Sequence, residues 1–254
     1  MRIRSGTELS TPSPKLARTL LGILALRANT TVSAGWVQDA LWGDRAPKSA
    51  ASNLRSYLAE LRRALGRAEV AVDIDSGPAG YRLHATPETL DSLLFESLTA
   101  QGRSMLAVGR PAAAADLFAR AGRLWRGPVL DATIAPQAVR PEIEALHVKR
   151  LNAIEDGIEA GLALGRHRAL VGELTDLVTR WPLRERLCGQ LMLALYRSGQ
   201  QVEALRAYQA LRHRMDEELG VAPFAEIQAL HRRILQADTT LAFPLAVTGI
   251  GRAV

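Results

Sequence analysis

A run of basic side chains is the feature of this sequence with the clearest chemical potential. Between positions 45 and 67 there is one carboxylate, Glu60, and six cations, which are Arg45, Lys48, Arg55, Arg62, Arg63 and Arg67. Guanidinium groups bind phosphates and guanine edges through paired hydrogen bonds, so this run predicts a surface that binds a polyanion. A solvated helix face that carries the same charges explains the composition equally well.

No pattern typical of an active site or a metal site accompanies these cations. The five histidines show no metal-ligand spacing, and neither His-Glu-x-x-His nor Gly-x-Ser-x-Gly occurs. The single cysteine, Cys188, can form neither an internal disulfide nor a cysteine zinc site. The stretch 43–49 resembles a phosphate-binding loop but lacks the second glycine and a preceding strand. We therefore expect no catalytic residue, no metal and no cofactor.

Three helices and a hairpin are predicted for the part of the chain that carries the basic run. Apolar residues follow a helical period over 16–28, and Ser33 can cap a second, short helix. A third helix is expected from about Lys48 to Leu65, stopped by Gly66. Two strand patterns, 70–75 and 81–84, flank a turn sequence rich in glycine and proline. This order predicts a winged helix-turn-helix.

The third helix should separate an apolar face from a basic face. At 100° per residue its leucines form one stripe, at positions 54, 58, 61 and 65. The opposite face suits a major groove, with arginines for base edges and small residues for close approach. Arg82, beside the hairpin turn, could reach a minor groove or a phosphate. The predicted DNA-binding residues are Arg45, Lys48, Ser52, Arg55, Ser56, Arg62, Arg63 and Arg82.

Within this set we expect different roles. The side chains nearest the DNA should be Arg55, Ser56, Arg62 and Arg63, whereas Lys48, Ser52 and Arg82 should hold phosphates. Glu60 lies at the edge of the basic face, where it would either repel a phosphate or accept a hydrogen bond from a cytosine amine.

From about residue 88 the pattern is entirely helical and repeats. Gly109, Gly165 and Gly199 serve as origins, and the last two are 34 residues apart. Small or large apolar residues follow five, nine and twelve positions later; they are Ala114, Leu170 and Ala204, then Phe118, Leu174 and Tyr208, then Ala121, Leu177 and Leu211. This spacing predicts tetratricopeptide-like helix pairs, with an insertion around 125–140. A generic helical bundle is the alternative.

These patterns predict a mainly α protein with an N-terminal winged helix, residues 1–87, and a repeat domain, residues 88–238. Residues 239–254 form a tail without a clear pattern. The chain has 254 residues, of which 48% are apolar, so it can bury a core and is not disordered as a whole. No apolar run reaches the ~20 residues of a membrane helix, and the apolar stretch 20–26 fits an amphipathic helix better than a secretory signal. One cysteine fits a reducing cytoplasm.

Several segments resemble those of a known family. Residues 37–44, 61–66 and 80–83 resemble the OmpR-type winged helix of SARP-type transcriptional activators, the regulators of antibiotic biosynthesis. The segments 124–128, 162–167, 182–187 and 191–218 resemble the bacterial transcriptional activation domain of the same family. Together the resemblance spans about residues 7–238.

The resemblance implies a sequence-specific DNA-binding activator of secondary-metabolite genes. Such an activator binds direct repeats in double-stranded promoter DNA as a homodimer and contacts RNA polymerase holoenzyme through its sigma factor, in the cytoplasm at the nucleoid and away from membranes. Family members often carry a basic residue at the place of Glu60. They also open with a sheet of several strands, whereas here residues 7–9 look like the tail of its last strand, so the sheet is expected to be shortened.

Two other classes of function are weighed against this one. A tetratricopeptide-type interaction scaffold whose impaired winged helix no longer binds DNA would keep the repeats without the promoter binding. An enzyme acting on a nucleotide would need a phosphate-binding loop, which the stretch 43–49 does not supply. DNA binding that weakens with salt distinguishes the activator from both.

Overall fold

The computed structural model describes residues 3–5, 8–10, 15–130 and 136–242, and it divides into two compact units. Unit 1 comprises Met1–Gln101 and Leu117–Ala153, and unit 2 comprises Gly102–Asp116 and Ile154–Val254. The predicted tail lies largely outside the described residues. The architecture is mainly α, with a winged helix followed by helical repeats, which confirms the expected fold class.

Unit 1 begins with two short strands and three helices. The strands β1 (Ile3–Ser5) and β2 (Glu8–Ser10) pair antiparallel, whereas the family resemblance predicts only the tail of a last strand there, at residues 7–9. The helices are α1 (Lys15–Leu26), α2 (Ala34–Trp42) and α3 (Ala50–Arg67). The Ser33 side chain accepts a hydrogen bond from the Trp36 backbone N–H, which confirms the predicted cap of α2.

Two boundaries in this region differ from the prediction. Gly66 does not end α3: the Ala68 N–H still donates to the Ala64 carbonyl, and the backbone turns into the left-handed region only at Glu69. The first strand of the hairpin, β3, runs over Asp73–Gly77 and not 70–75. Its partner β4 spans Gly80–His84. The β-branched residues at 70 and 72 pack against the core from the loop that precedes β3.

The hairpin is held on its outer side by the segment between α1 and α2. Val32 exchanges two backbone hydrogen bonds with Tyr81, and the Asn29 backbone N–H donates to the Leu83 carbonyl. This places Gly80 against the backbone of Val32, at a φ of 130°. A Cβ at position 80 would overlap the Val32 carbonyl oxygen, so only glycine fits this turn.

The winged helix has a leucine core, as its sequence pattern predicted. All four leucines of the α3 stripe are buried. They pack in one cluster with Ile74 and Leu83 of the hairpin and with Leu20 and Leu24 of α1. Burying this face fixes the rotation of α3 and thereby turns its other face towards solvent.

A second cluster in unit 1 joins the winged helix to a segment beyond residue 130. Ile23 of α1, Ala40 of α2 and Val139 of a short 3₁₀ helix (Gln137–Val139) are buried together. The Arg27 guanidinium pairs with the Glu142 carboxylate at the start of the next helix, with an Nε–Oε1 distance of 2.8 Å. Residues 136–143 therefore pack as part of the same unit as the winged helix.

The remaining helices form the predicted repeats. Gly109, Gly165 and Gly199 each take a positive φ in the turn between two helices, and the residues nine and twelve positions later are buried in all three repeats. Five positions on, Ala114 and Ala204 are buried and Leu170 is half-buried. The helices are α4 (Asp91–Ala107), α5 (Pro111–Arg123), α6 (Arg140–Ala163), α7 (His167–Arg180), α8 (Glu185–Arg197), α9 (Gln201–Leu219) and α10 (Ala225–Leu235).

In unit 2, α8 packs between α7 and α9, and α10 packs against both α8 and α9. The expected insertion separates α5 from α6, although residues 131–135 of it lie outside the described chain. None of the helices that the structure describes combines the length and the apolar content that a membrane span requires.

Candidate nucleic-acid interface

The solvent-facing side of α3 carries the predicted basic face. Arg55, Arg62 and Arg63 are all exposed, as are Ser52 and Ser56. They lie opposite the buried leucines, so the two-faced helix expected from the sequence is present. Glu60 is half-buried at one edge of this face.

The guanidinium groups of Arg55 and Arg63 make few contacts with the rest of the protein. Arg63 makes one long hydrogen bond, from Nε to the Ala59 carbonyl at 3.4 Å. The Arg55 guanidinium forms no hydrogen bond or ion pair with the described residues. The Ser56 hydroxyl donates to the Ser52 carbonyl at 3.2 Å, which keeps that side chain close to the helix. A double helix approaching this face would meet two arginines separated by short side chains.

Arg62 differs from its neighbours, because its guanidinium lies on the hairpin. Nε and Nη2 donate to the Ile74 carbonyl at 3.0 and 2.7 Å, and Nη2 also donates to the Ser76 hydroxyl at 2.5 Å. Sequence reasoning placed Arg62 with the residues nearest DNA and missed these partners. An i-to-i+12 contact between a helix and a strand leaves no local periodic signal.

Arg45 and Lys48 precede α3 and extend the basic surface towards its N-terminus. Arg45 ends a short 3₁₀ helix (Gly43–Arg45), and both side chains are exposed. Within the described residues neither pairs with a carboxylate. Ser49 accepts a hydrogen bond from the Asn53 side chain at 3.2 Å, which closes the first turn of α3.

The hairpin supplies the last predicted residue, Arg82. It is exposed on β4 directly opposite Asp75 of β3. Asp75 also lies 3.4 Å from the His84 imidazole, so the hairpin carries a carboxylate beside its cation. The structure thus brings five predicted residues together on α3, puts two on the segment before it and places Arg82 on the adjacent hairpin.

The features of a metal centre are not found in the described part of the chain. No group of three potential metal ligands occurs among these residues. Cys188 is buried in α8, where burial raises the pKa of its thiol to about 12 and so keeps it protonated and unreactive. What unit 1 presents is a helix and a hairpin with exposed cations, the arrangement that defines a winged-helix protein of the DNA-binding class.

Comparison with known proteins agrees with this class. Residues 90–235 match the family model described as the bacterial transcriptional activator domain. The chain is 37% identical over 243 residues to the regulatory protein DnrI of Streptomyces peucetius, covering 92% of this chain and 88% of that protein. It is 39% identical over 246 residues to the regulatory protein AfsR of Streptomyces coelicolor, of which it spans 24%.

A solved structure is also similar in fold. Mycobacterium tuberculosis EmbR, in complex with a low affinity phosphopeptide, matches with a TM-score of 0.85 and 33% identity, over 90% of this chain and 61% of that chain. The protein belongs to the bacterial transcriptional activator domain family and is a SARP-type transcriptional regulator, a family of antibiotic-biosynthesis regulators.

Proposed function

We propose that this protein activates transcription of secondary-metabolite genes by binding promoter DNA through α3 and the hairpin. The observation that carries the proposal is the exposed basic face of α3, held outward by its buried leucine stripe. Arg55, Ser56 and Arg63 lie on that face, where they would meet base edges in the major groove. The guanidinium of Arg62, at the edge of the face, lies on the hairpin. Arg45, Lys48, Ser52 and Arg82 surround it and would hold phosphates.

The finer parts of the proposal rest on the family resemblance. Residues 1–87 would form the DNA-binding domain and residues 88–238 the activation domain. Two copies of the chain would occupy direct repeats in the promoter and contact RNA polymerase holoenzyme through its sigma factor. The protein would act at the nucleoid in the cytoplasm, by binding and not by catalysis.

Footprinting of the purified full chain on the DNA around its own gene tests the proposal. We expect a protected site whose affinity falls with salt, with a slope of log affinity against log salt of ~0.9 per phosphate contact. Arg63→Ala should weaken binding to this site by about tenfold, which corresponds to the lower part of the ~1–3 kcal/mol range for an arginine at a base.

Arg206→Ala is the matched control, because it also removes one exposed arginine but lies on α9. It should leave the protected site unchanged. If Arg63→Ala binds promoter DNA as the unmodified chain does, α3 is not the element that reads the DNA. If the unmodified chain shows no salt-dependent site, the DNA-binding function is refuted and the interaction scaffold is the better account.

A further inference from the structure

We propose that Arg62 is a positioning residue that fixes the hairpin on α3 and so sets where Arg82 meets DNA. The inference rests on the proposed DNA-binding function and deepens it. It assigns to Arg62 a role that differs from that of Arg63, although the two are neighbours on one helix. Its basis is the pattern of hydrogen bonds along the two edges of the hairpin.

The pairing of β3 with β4 determines which backbone N–H and C=O groups point away from the partner strand, towards the outer edges of the hairpin. Gly77 faces Gly80 across the two-residue turn, so outward-pointing groups fall on the pairs Ser76–Tyr81 and Ile74–Leu83. On β4 these groups are met by backbone, through the bonds of Tyr81 to Val32 and of Leu83 to Asn29. The outer edge of β4 is therefore fastened to the rest of the winged helix by main-chain hydrogen bonds.

On β3 the corresponding groups of Ile74 are met by side chains. The Ile74 N–H donates to the Asp73 carboxylate at 2.8 Å, and the Ile74 carbonyl accepts from two nitrogens of Arg62. Arg62 thus satisfies a strand-edge carbonyl that would otherwise need water, at a residue, Ile74, that is only 2% exposed. Its further bond is to the Ser76 hydroxyl, two residues before the first turn residue, Pro78.

This arrangement spans the two elements that DNA would contact together. Arg62 begins on the face of α3 proposed to enter the major groove, and its guanidinium ends on β3. Arg82 lies on β4, opposite Asp75, which is between the two β3 residues that Arg62 holds. Holding Ile74 and Ser76 therefore holds the point of the hairpin from which Arg82 projects. A planar guanidinium can make these bonds at once, whereas a lysine ammonium offers no such fork.

A double-mutant cycle on the full chain separates positioning from direct contact. We expect Arg62→Ala to weaken promoter binding by about tenfold in the unmodified chain and by less than about twofold in an Arg82→Ala background, because the same contact has already been lost. Arg63→Ala should weaken binding by the same factor in both backgrounds, since that residue acts independently of the hairpin. Arg62→Lys keeps the charge and should still lose protection of the DNA that the hairpin covers.

Hydrogen exchange of residues 73–84 without DNA gives a readout that a direct DNA contact would not move. Arg62→Ala should speed exchange there several-fold, and Arg63→Ala should leave it unchanged, while both variants keep the cooperative thermal transition of the parent. The positioning role would be overturned if Arg62→Ala lost the same amount of promoter affinity in the unmodified chain and in the Arg82→Ala background, or if hydrogen exchange of residues 73–84 were unchanged. Either outcome would leave promoter binding by the unmodified chain intact. Absence of promoter binding by the unmodified chain, in contrast, would refute both proposals.

Discussion

At the scale of single residues, the surroundings of a side chain decide what a recurring residue type can do. Arg55, Arg62 and Arg63 have the same chemistry and lie on one helix. Only the guanidinium of Arg62 donates hydrogen bonds to a strand of the protein, β3. The sequence indicates which arginines are exposed, because helical periodicity gives their face. It does not indicate the acceptor of Arg62, because Ile74 is twelve positions away and on another element.

Gly80 provides a test of the hairpin at this scale. Gly80→Ala should destabilise the protein by about 3 kcal/mol or more, because an added Cβ would overlap the Val32 carbonyl oxygen at an already unfavourable φ. Gly77→Ala is the matched control, since nothing lies within 4 Å of its added Cβ. Thermal unfolding of both variants measures the difference. A Gly80→Ala protein as stable as Gly77→Ala would show that the strand pairing at Val32 is wrong.

Cys188 gives a prediction about pH. Burial raises the pKa of its thiol to about 12, above the ordinary value of 9.0. Between these values the unfolded chain releases the thiol proton and the folded chain retains it, so deprotonation favours unfolding. The free energy of unfolding should therefore fall between about pH 9 and pH 12 more steeply than in Cys188→Ala.

Urea denaturation of both proteins from pH 8 upwards tests this expectation. Lysine, tyrosine and arginine titrations are common to the two proteins, so only the difference between them reports on the thiol. A thiol reagent should also fail to label the native chain at pH 8 and label it fully in urea. Parallel pH profiles or rapid native labelling would contradict the buried position of Cys188 in α8.

At the scale of elements, periodic patterns were the predictable part of this fold. The leucine stripe of α3, the cap of α2 and the repeat positions nine and twelve after each glycine are all as expected, because each depends on spacing within one element. The start of β3 and the end of α3 were misplaced by two or three residues. At both places tertiary contacts decide, since the helix ladder runs past Gly66 and Val72 packs from a loop.

The packing of residues 136–143 on the winged helix lay beyond the reach of the sequence patterns, and Val139 tests it. Val139 is fully buried with Ile23 and Ala40. Val139→Ala should cost about 2 kcal/mol, from the two lost methyl groups and the cavity they leave. Val148→Ala, at a site on α6 that is 53% exposed, should change stability by less than about 0.5 kcal/mol.

Thermal unfolding, followed with a spectroscopic probe in the winged helix, compares the stability of the Val139→Ala and Val148→Ala proteins. If Val139→Ala lowers the midpoint for the winged helix, residues 136–143 belong to that folding unit. Equal behaviour of the two valine variants would show that this segment contributes nothing to it.

Unit 2 is stabilised by an ion-pair network around Glu155, which is 1% exposed on its side chain. Arg184 donates to both of its carboxylate oxygens, at 2.7 and 3.1 Å, and this hydrogen bonding raises the pKa of the Arg184 guanidinium. Arg184→Ala would leave a buried carboxylate short of its main partner and should cost about 3–5 kcal/mol. Arg206→Ala breaks an exposed pair with Glu203 and should cost at most about 1 kcal/mol.

Urea unfolding of the two variants compares the buried pair with the exposed one. The same charge is removed in each, so a difference reports on burial. The network would be of little consequence to unit 2 if Arg184→Ala unfolded at the same urea concentration as Arg206→Ala. Glu155→Gln provides a further check, because in the Arg184→Ala background it removes a buried charge whose remaining partner is Arg186 at 3.4 Å, and it should recover part of the loss of stability.

At the scale of the whole molecule, net charge and partner geometry set what binding to a promoter would look like. The formal charge of +6 favours any polyanion and so supplies affinity without sequence preference. Preference for one DNA sequence would come from the exposed face of α3. A single helix contacts only a few base pairs, so one copy of the chain recognises a short DNA site. Two copies on direct repeats would lengthen that site, and they can contact each other only if the repeats present them on the same side of the double helix.

The spacing of the repeats therefore tests the proposed pair of chains. Inserting about 5 base pairs between the two half-sites turns one copy to the opposite side of the DNA, and we expect it to weaken the two-copy complex by about tenfold. Inserting about 10 base pairs restores the phase and should recover part of the affinity. Binding to an isolated half-site is the control, because it should be the same in all three DNAs. If the 5-base-pair insertion left the two-copy complex unchanged, the chains would bind independently, and direct contact between them on the promoter would be excluded.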